Sequence, residues 1–199
     1  MKLNFGAGEA KLEGYVNVDL DDASKPDIVC DIRKNDMPFE KNSIEMIQMF
    51  HCIEHIEYKY WSKVFTEFWR VLEPNGMLFL AYPEFEKCAK YYLENHLGLR
   101  DLFRNTLYGR QLYAGDYHVT PMRTSEVIDA LYHHGFHQVR YDEDPDEDWN
   151  TILYCYKGKM PMLRADVFKK ELFKDIKPIE TRFKLVAESE KIWESKNEV

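Results

Sequence analysis

Three short segments place glycine or acidic residues where predicted strands end. The first is residues 3–8 (LNFGAG), in which Gly6 and Gly8 let the backbone turn sharply and approach a ligand closely. The second is residues 17–20 (NVDL), and the third is residues 30–32 (CDI). A carboxylate at such a strand end can accept hydrogen bonds from ribose hydroxyls or from an exocyclic amine. Together the three segments predict a nucleoside-binding pocket.

The glycine pattern fits NAD poorly. In the dinucleotide pattern GxGxxG a third glycine follows, but Lys11 stands at that position. In addition, Asp19 follows the glycine turn too closely for a full helix to lie between the two strands. The sequence therefore favours a nucleoside-containing ligand other than NAD.

A second group of chemically active side chains is residues 51–55 (HCIEH). Written as HxxEH on a helix, the segment could bind zinc as inverted zinc peptidases do. Here it follows a predicted strand and a glycine turn precedes it, so we expect no metal. A structural role is the leading interpretation of His55, and Glu54 and His55 are also candidate catalytic residues.

His118 is the third candidate for chemistry. A neutral imidazole can take a proton from an acceptor hydroxyl or amine, because its ordinary pKa lies near neutral pH. Positioning of a ligand and simple packing are the alternatives. Aromatic and basic residues nearby could line an acceptor pocket; these are Tyr82, Phe85, Tyr91, Tyr92, Tyr108, Tyr113, Tyr117, Arg100, Arg104 and Arg110.

Alternating strands and helices must position these residues. Apolar runs bounded by Gly, Asp, Asn or Pro predict strands at residues 1–5, 15–20, 27–31, 43–49, 77–82, 137–141 and 151–156. Helical spacing of apolar residues predicts helices at 58–72 and 124–134. The pattern indicates an α/β fold, a doubly wound and mainly parallel seven-stranded sheet whose last hairpin adds an antiparallel strand.

Two segments fall outside this alternation. Residues 84–118 form an insertion after the fifth strand, on the side where open α/β sheets bind ligands, so we expect it to cover the site. Residues 158–199 are charged and helical in pattern, and we expect a C-terminal helical extension that packs on the domain or forms a homo-oligomer. The domain proper is expected to span residues 1–157.

Composition narrows the classes of protein. The chain has 199 residues and a net charge of −8, which disfavours a protein whose main task is binding nucleic acid. It has no apolar run of about 18 residues to cross a membrane, and its first residues lack a signal-peptide pattern, so we expect a cytoplasmic protein. The four cysteines form no CxxC pair, which is typical of scattered buried thiols.

In this order, the segments LNFGAGE, GYVNVDL, PDIVCDI, MFHCIEHI and FWRVLEPNGMLFLAYPEF resemble the class I S-adenosylmethionine-dependent methyltransferases. The resemblance is strongest to members with a contracted first crossover, and it covers residues 1–157. It implies the Rossmann-like methyltransferase fold with S-adenosylmethionine as cofactor. In a branch of these enzymes acting on RNA 2′-hydroxyls, a pair like Glu54 and His55 binds a divalent ion. The sequence departs from many relatives at Asn4, where they have an acid, and at Ala10.

The resemblance also implies residue roles. The glycine turn would lie against the methionine part of the cofactor, Asp19 would bind the ribose and Asp31 the adenine amine. The expected cofactor-binding residues are Phe5, Gly6, Ala7, Gly8, Asp19, Leu20, Asp31, Ile32, Phe50 and His51. The expected catalytic residues are His118, Glu54 and His55.

The sequence thus predicts a methyltransferase whose acceptor is a small molecule or a sugar-linked metabolite. Alternatives are a binding protein that has lost catalysis and an enzyme that cleaves the cofactor itself.

Overall fold

The computed structural model describes residues 1–94, 100–113, 115–143 and 148–158, and the predicted C-terminal extension lies almost wholly outside them. The strands are β1 (Lys2–Phe5), β2 (Val16–Asp19), β3 (Ile28–Val29), β4 (Ile44–Phe50), β5 (Leu72–Pro83), β6 (Phe136–Glu143) and β7 (Asn150–Lys157). The helices are α1 (Trp61–Val71), α2 (Phe85–Leu93), α3 (Arg100–Tyr108) and α4 (Thr124–His133). None of the helices among these residues is long and apolar enough to cross a membrane.

The seven strands form one sheet in the order β3-β2-β1-β4-β5-β7-β6. Strands β1 to β5 run parallel, with Leu3 beside Ile47 in the pairing of β1 and β4. Strand β7 is antiparallel to both β5 and β6, with Leu80 beside Leu153. The doubly wound, mainly parallel sheet and its final antiparallel hairpin are therefore confirmed.

Helices α1 and α4 pack side by side and bury one face of the sheet. The apolar spacing of α1 turns Phe65 and Phe68 into the core, where Phe68 meets the Phe5 ring edge to face with centroids 5.3 Å apart. Helix α4 ends before Gly135, which adopts a positive φ of 90° as glycine commonly does after a helix. The four cysteines are free, and three of them are buried.

The first crossover, between β1 and β2, contains no helix. Side-chain amides hold it instead: Asn4 Nδ2 donates to the Ala10 carbonyl and to Asn17 Oδ1, both at 2.9 Å. The Leu12 backbone N–H donates to the same Asn17 oxygen at 2.8 Å. This network explains why an amide suits position 4, since a carboxylate there could not donate to Asn17 or Ala10.

A partly buried ion pair fixes α1 to the loop before β4. The Arg70 guanidinium donates to both carboxylate oxygens of Glu67, at 2.8 and 2.9 Å, and Glu67 also accepts the Met37 backbone N–H at 3.0 Å. Hydrogen bonding with Arg70 lowers the pKa of Glu67, so the carboxylate stays charged well into mildly acidic solution.

We expect Glu67→Gln to lower the free energy of unfolding by about 1.5–3 kcal/mol at pH 7, the scale of a charged hydrogen bond lost from a partly buried pair. Because the folded-state pKa lies below the unfolded value of about 4.3, this stability is present above that pH and disappears as the pH falls. Urea unfolding at several pH values measures the difference in the free energy of unfolding between the wild type and Glu67→Gln. This difference should shrink below about pH 4. Glu45→Gln, at an exposed carboxylate, is the control and should change little at any pH.

Candidate functional site

The carboxyl ends of β1 to β4 meet at one edge of the sheet, and the predicted cofactor residues lie there. Asp19 joins two of the loops: its Oδ2 accepts the Gly8 backbone N–H at 2.7 Å and its Oδ1 accepts the Asp21 backbone N–H at 2.9 Å. Each carboxylate oxygen has further lone pairs. Asp19 is therefore held in place and can still accept two hydroxyl protons.

The two glycines of the turn serve different purposes. Gly6 has φ of 71°, and a Cβ there would lie 2.3 Å from Cys52 Sγ, so glycine is needed for the close approach of two loops. Gly8 has φ of 49°, and a Cβ there would meet nothing within 4 Å. The open space beside Gly8 is where a ligand can approach the backbone.

The Asp31 carboxylate is already engaged within its own loop. The Arg33 side chain donates to both oxygens, at 2.8 and 3.0 Å, and Lys34 Nζ lies 3.1 Å from Oδ2. Hydrogen bonding with Arg33 lowers the pKa of Asp31 to about 2. An adenine amine would have to share or displace these partners, so the predicted role of Asp31 requires a change in this loop.

Apolar side chains at this edge divide into buried and exposed ones. Phe5, Ala7 and Ile32 belong to the hydrophobic interior, so their side chains are not on the pocket surface. Leu20 is 55% exposed and Val29 is 52% exposed. Exposed apolar side chains at strand ends are surfaces on which a base could lie, and Val29 is one that the sequence motifs did not single out.

The last predicted cofactor residues end β4. The half-buried Phe50 ring stacks with that of Phe79, with centroids 6.4 Å apart. His51 has φ of 45°, a conformation that costs a non-glycine residue free energy and often accompanies functional sites. Its Nδ1 lies 3.3 Å from Glu54 Oε1. The strained turn at His51 thus aims the chain from the sheet toward Glu54.

The three predicted catalytic residues come together although His118 is distant in sequence. Glu54 is fully buried, and the rings of His55 and His118 meet edge to face with centroids 4.7 Å apart. Burial lowers the pKa of His118, so its imidazole is neutral near pH 7. Burial would raise the pKa of Glu54, but the neighbouring His51, His55 and His118 hold it below its ordinary value. The cluster therefore combines a buried carboxylate with a neutral imidazole.

Backbone hydrogen bonds fix this cluster. Residues 53–55 form a 3₁₀ turn directly after β4, which confirms that the HxxEH segment lies at a strand end rather than on an α-helix. The Val119 and Thr120 backbone N–H groups both donate to the Glu54 carbonyl, at 2.9 and 3.2 Å. The His118 backbone N–H donates to the Tyr108 carbonyl at 3.1 Å. The end of the insertion is thereby tied to the turn that carries Glu54.

The insertion reaches toward both ends of the predicted pocket. A small pocket next to Glu54 is lined by Phe85, Cys88, Thr106 and His118. The pKa of Tyr113 is raised by desolvation and by the charge of Asp116, with a smaller contribution from Asp19, although much of its ring surface is exposed. Insertion residues therefore lie beside the cluster of Glu54 and His118. Motif spacing did not single out Cys88 or Thr106.

Some of the other residues predicted to line the acceptor pocket are buried or paired with another side chain. Tyr82 is fully buried and its hydroxyl lies 3.4 Å from Thr124 Oγ1, so it belongs to the core. Arg110 pairs with Asp116 at 3.3 Å. Among the predicted aromatic residues, the exposed ones are Phe85, Tyr92, Tyr108, Tyr113 and Tyr117. The Arg100 side chain lies outside the described part of the structure.

Comparison with known proteins finds similarity to methyltransferases. Residues 13–80 match the family model described as a methyltransferase domain. A Methanosarcina mazei protein described as an SAM-dependent methyltransferase superposes with a TM-score of 0.54 at 16% identity, over 80% of this chain and 92% of that one. A Thermotoga maritima SAM-dependent methyltransferase, titled a possible histamine N-methyltransferase, gives a TM-score of 0.55 at 13% identity, covering 78% and 81%.

A Bordetella parapertussis protein titled a possible exported protein gives a TM-score of 0.55 at 12% identity; the match covers 79% of this chain and 62% of that one. At these identities the similarities establish the fold. No curated protein matches the chain in sequence.

Proposed function

We propose that the chain is a class I S-adenosylmethionine-dependent methyltransferase that transfers a methyl group to a small molecule or a sugar-linked metabolite; the matching methyltransferase-domain model and the methyltransferase fold support this proposal. The cofactor is S-adenosylmethionine. When bound, it supplies a methyl group on a positively charged sulfur. The observation that carries the proposal is Asp19, fixed at the tip of β2 by the Gly8 N–H and placed to accept ribose hydroxyls.

The described residues fit this cofactor at three points. The space beside Gly8 admits a ligand against the backbone, and Asp19 retains acceptor capacity for two hydroxyls. Leu20 offers an exposed apolar surface for a base.

Methyl transfer is an in-line displacement, so alignment of the acceptor contributes much of the rate. With the cofactor bound, the acceptor would take the methyl group while the sulfur kept the bonding electron pair, and the proton of a hydroxyl or amine acceptor would pass to solvent. We propose that Glu54, His55 and His118 position the acceptor atom, since they lie under the insertion beside the pocket that Phe85 and Thr106 line.

Two observations support a small acceptor. Phe85, Cys88 and Thr106 of the insertion line a small pocket beside Glu54, which suits a small group better than a polymer segment. The net charge of −8 disfavours a nucleic acid acceptor, because binding to phosphates depends on Lys and Arg. The exposed rings of Tyr108, Tyr113 and Tyr117 give the insertion surfaces that suit a sugar or a planar group.

Calorimetric titration with S-adenosylmethionine and S-adenosylhomocysteine, with NAD as control, tests cofactor binding. Micromolar binding of the first two alone supports the proposal, and no binding of either contradicts it. A labelled methyl donor, incubated with separate small-molecule, RNA and protein fractions, tests the acceptor class. Label in the small-molecule fraction is expected. Binding without methyl transfer favours a binding protein, and cofactor fragments without a methylated product indicate cofactor cleavage.

A further inference from the structure

One donor atom from each of Glu54, His55 and His118 lies within 4.8 Å of the other two. These residues come from two chain segments, the turn after β4 and the end of the insertion, which the hydrogen bonds from Val119 and Thr120 to the Glu54 carbonyl join. The grouping therefore depends on the fold, since sequence spacing alone places His118 far from the other two.

The Glu54 carboxylate lacks the partners that a buried charge requires. Within the part of the chain that the structure describes, neither of its buried oxygens has a hydrogen-bond partner. His51 Nδ1 lies 3.3 Å from Oε1, but only part of the carboxylate can be served by that contact. An ionised carboxylate removed from water is costly unless it is paired or coordinates a metal. The site therefore calls for a cation on the side where His55 and His118 lie.

Hydrogen bonds to the backbone orient the imidazole rings of His55 and His118 so that each ring can bind a cation through its other nitrogen. His55 Nδ1 lies 3.0 Å from the Tyr117 carbonyl oxygen, which can only accept, so Nδ1 carries the proton and the Nε2 lone pair of the neutral ring is free to bind a cation. His118 likewise hydrogen bonds to the Thr106 backbone. A ring N–H fixed by a backbone carbonyl is the usual support of a metal-binding histidine, since it sets the tautomer and the ring orientation.

We propose that Glu54, His55 and His118 bind a first-row transition-metal dication of the zinc and cobalt class. Two imidazole nitrogens and one carboxylate oxygen suit such ions, whereas Mg²⁺ and Ca²⁺ prefer oxygen ligands alone. Bonds of about 2.1 Å in a tetrahedral site put donor atoms about 3.4 Å apart, so the donor atoms, which lie within 4.8 Å of one another, would move closer together when the ion binds. This proposal replaces the expectation from sequence that the site holds no metal.

Three protein ligands leave at least one coordination position open. Among the described residues, those that line the adjoining pocket include Phe85, Cys88 and Thr106, and the cluster itself supplies the charged groups. If the proposed methyl transfer is correct, the open position would bind an oxygen or nitrogen of the acceptor and hold it for attack. This consequence rests on the proposed function, whereas binding of the ion does not.

Titration of chelator-treated full-length protein with Co²⁺ tests the proposal without cofactor or activity. We expect a single ion per chain with the visible absorption of a low-coordinate Co²⁺ site that carries nitrogen ligands, and displacement of that signal by Zn²⁺. Glu54→Gln, His55→Ala and His118→Ala should each weaken Co²⁺ binding at least about tenfold. His133→Ala, at an exposed histidine of α4, should leave it unchanged.

Circular dichroism and thermal unfolding identify any variant that does not fold. Glu54→Gln keeps the side-chain shape and removes a buried charge, so it remains informative if a histidine variant unfolds. The proposal is wrong if the wild-type chain binds neither Co²⁺ nor Zn²⁺, if binding persists in Glu54→Gln, or if Mg²⁺ alone binds. Failure of the cofactor titration would leave these results valid, since they are measured on the chain without cofactor.

Discussion

Replacing Gly6 by alanine is expected to destabilise the fold, whereas replacing Gly8 is expected to act mainly on cofactor binding. The Cβ of Gly6→Ala would lie 2.3 Å from Cys52 Sγ and 2.6 Å from Cys52 Cβ, at a backbone φ of 71°. Left-handed backbone costs an alanine about 1–2 kcal/mol, and overpacking costs about 1–3 kcal/mol more. Urea unfolding should therefore show a loss of about 2–5 kcal/mol for Gly6→Ala.

Gly8→Ala is the matched variant in the same turn. Its added Cβ meets nothing within 4 Å, so only the backbone cost of about 1–2 kcal/mol should appear in unfolding. Binding of S-adenosylhomocysteine should weaken at least about tenfold, because the methyl group enters the space that a ligand uses to approach the backbone. Equal stability losses in the two variants would contradict the different roles assigned to these glycines.

The double variant Gly6→Ala, Cys52→Gly separates the two costs at position 6. Removing the Cys52 side chain relieves the overpacking but leaves the backbone conformation unchanged. A double-mutant cycle should therefore give a favourable interaction free energy of about 1–3 kcal/mol between the two substitutions, equal to the overpacking cost that the second substitution removes. An interaction free energy near zero would mean that the loops separate to accommodate the methyl group.

The strands and helices and most of their boundaries could be predicted because they follow from local patterns. The apolar run at residues 43–49 and the helical spacing at 58–72 each correspond to an observed element, β4 and α1. The antiparallel placement of β7 also follows, since a short acidic loop can join only a hairpin. At the site, the glycine turn and Asp19 were predictable because strand ends of a parallel sheet share one edge.

Other features of the site depend on contacts between distant residues. The approach of His118 to Glu54 requires the whole insertion to fold and return, and no sequence periodicity records that path. The Cys52 contact that requires Gly6 is of the same kind, since it joins loops after β1 and β4. Motif spacing also did not single out Arg33, whose side chain donates hydrogen bonds to both carboxylate oxygens of Asp31. Sequence motifs indicated candidate site residues. Tertiary packing determines which of those side chains can contact a ligand and which are engaged by other parts of the chain.

Asp19→Ala is expected to weaken binding of S-adenosylhomocysteine by about 1.5–3 kcal/mol, which is roughly 10-fold to 150-fold in Kd. The lost interaction is that of a charged acceptor with ribose hydroxyls. Part of the loss has another origin, because Asp19 also holds the Gly8 and Asp21 backbone N–H groups. Asp22→Ala, at an exposed carboxylate in the adjacent 3₁₀ turn, is the control and should bind as the wild type does.

Comparison of S-adenosylhomocysteine with its 2′-deoxyribose analogue separates the two contributions. The wild-type chain should prefer the ribose form, since Asp19 can accept from both hydroxyls. In Asp19→Ala that preference should largely disappear, because the hydroxyl no longer has its acceptor. Loosening of the Gly8 loop, in contrast, would weaken the binding of both ligands equally. A preference for ribose that survives the substitution would mean that another group binds the hydroxyls and that Asp19 only shapes the loop.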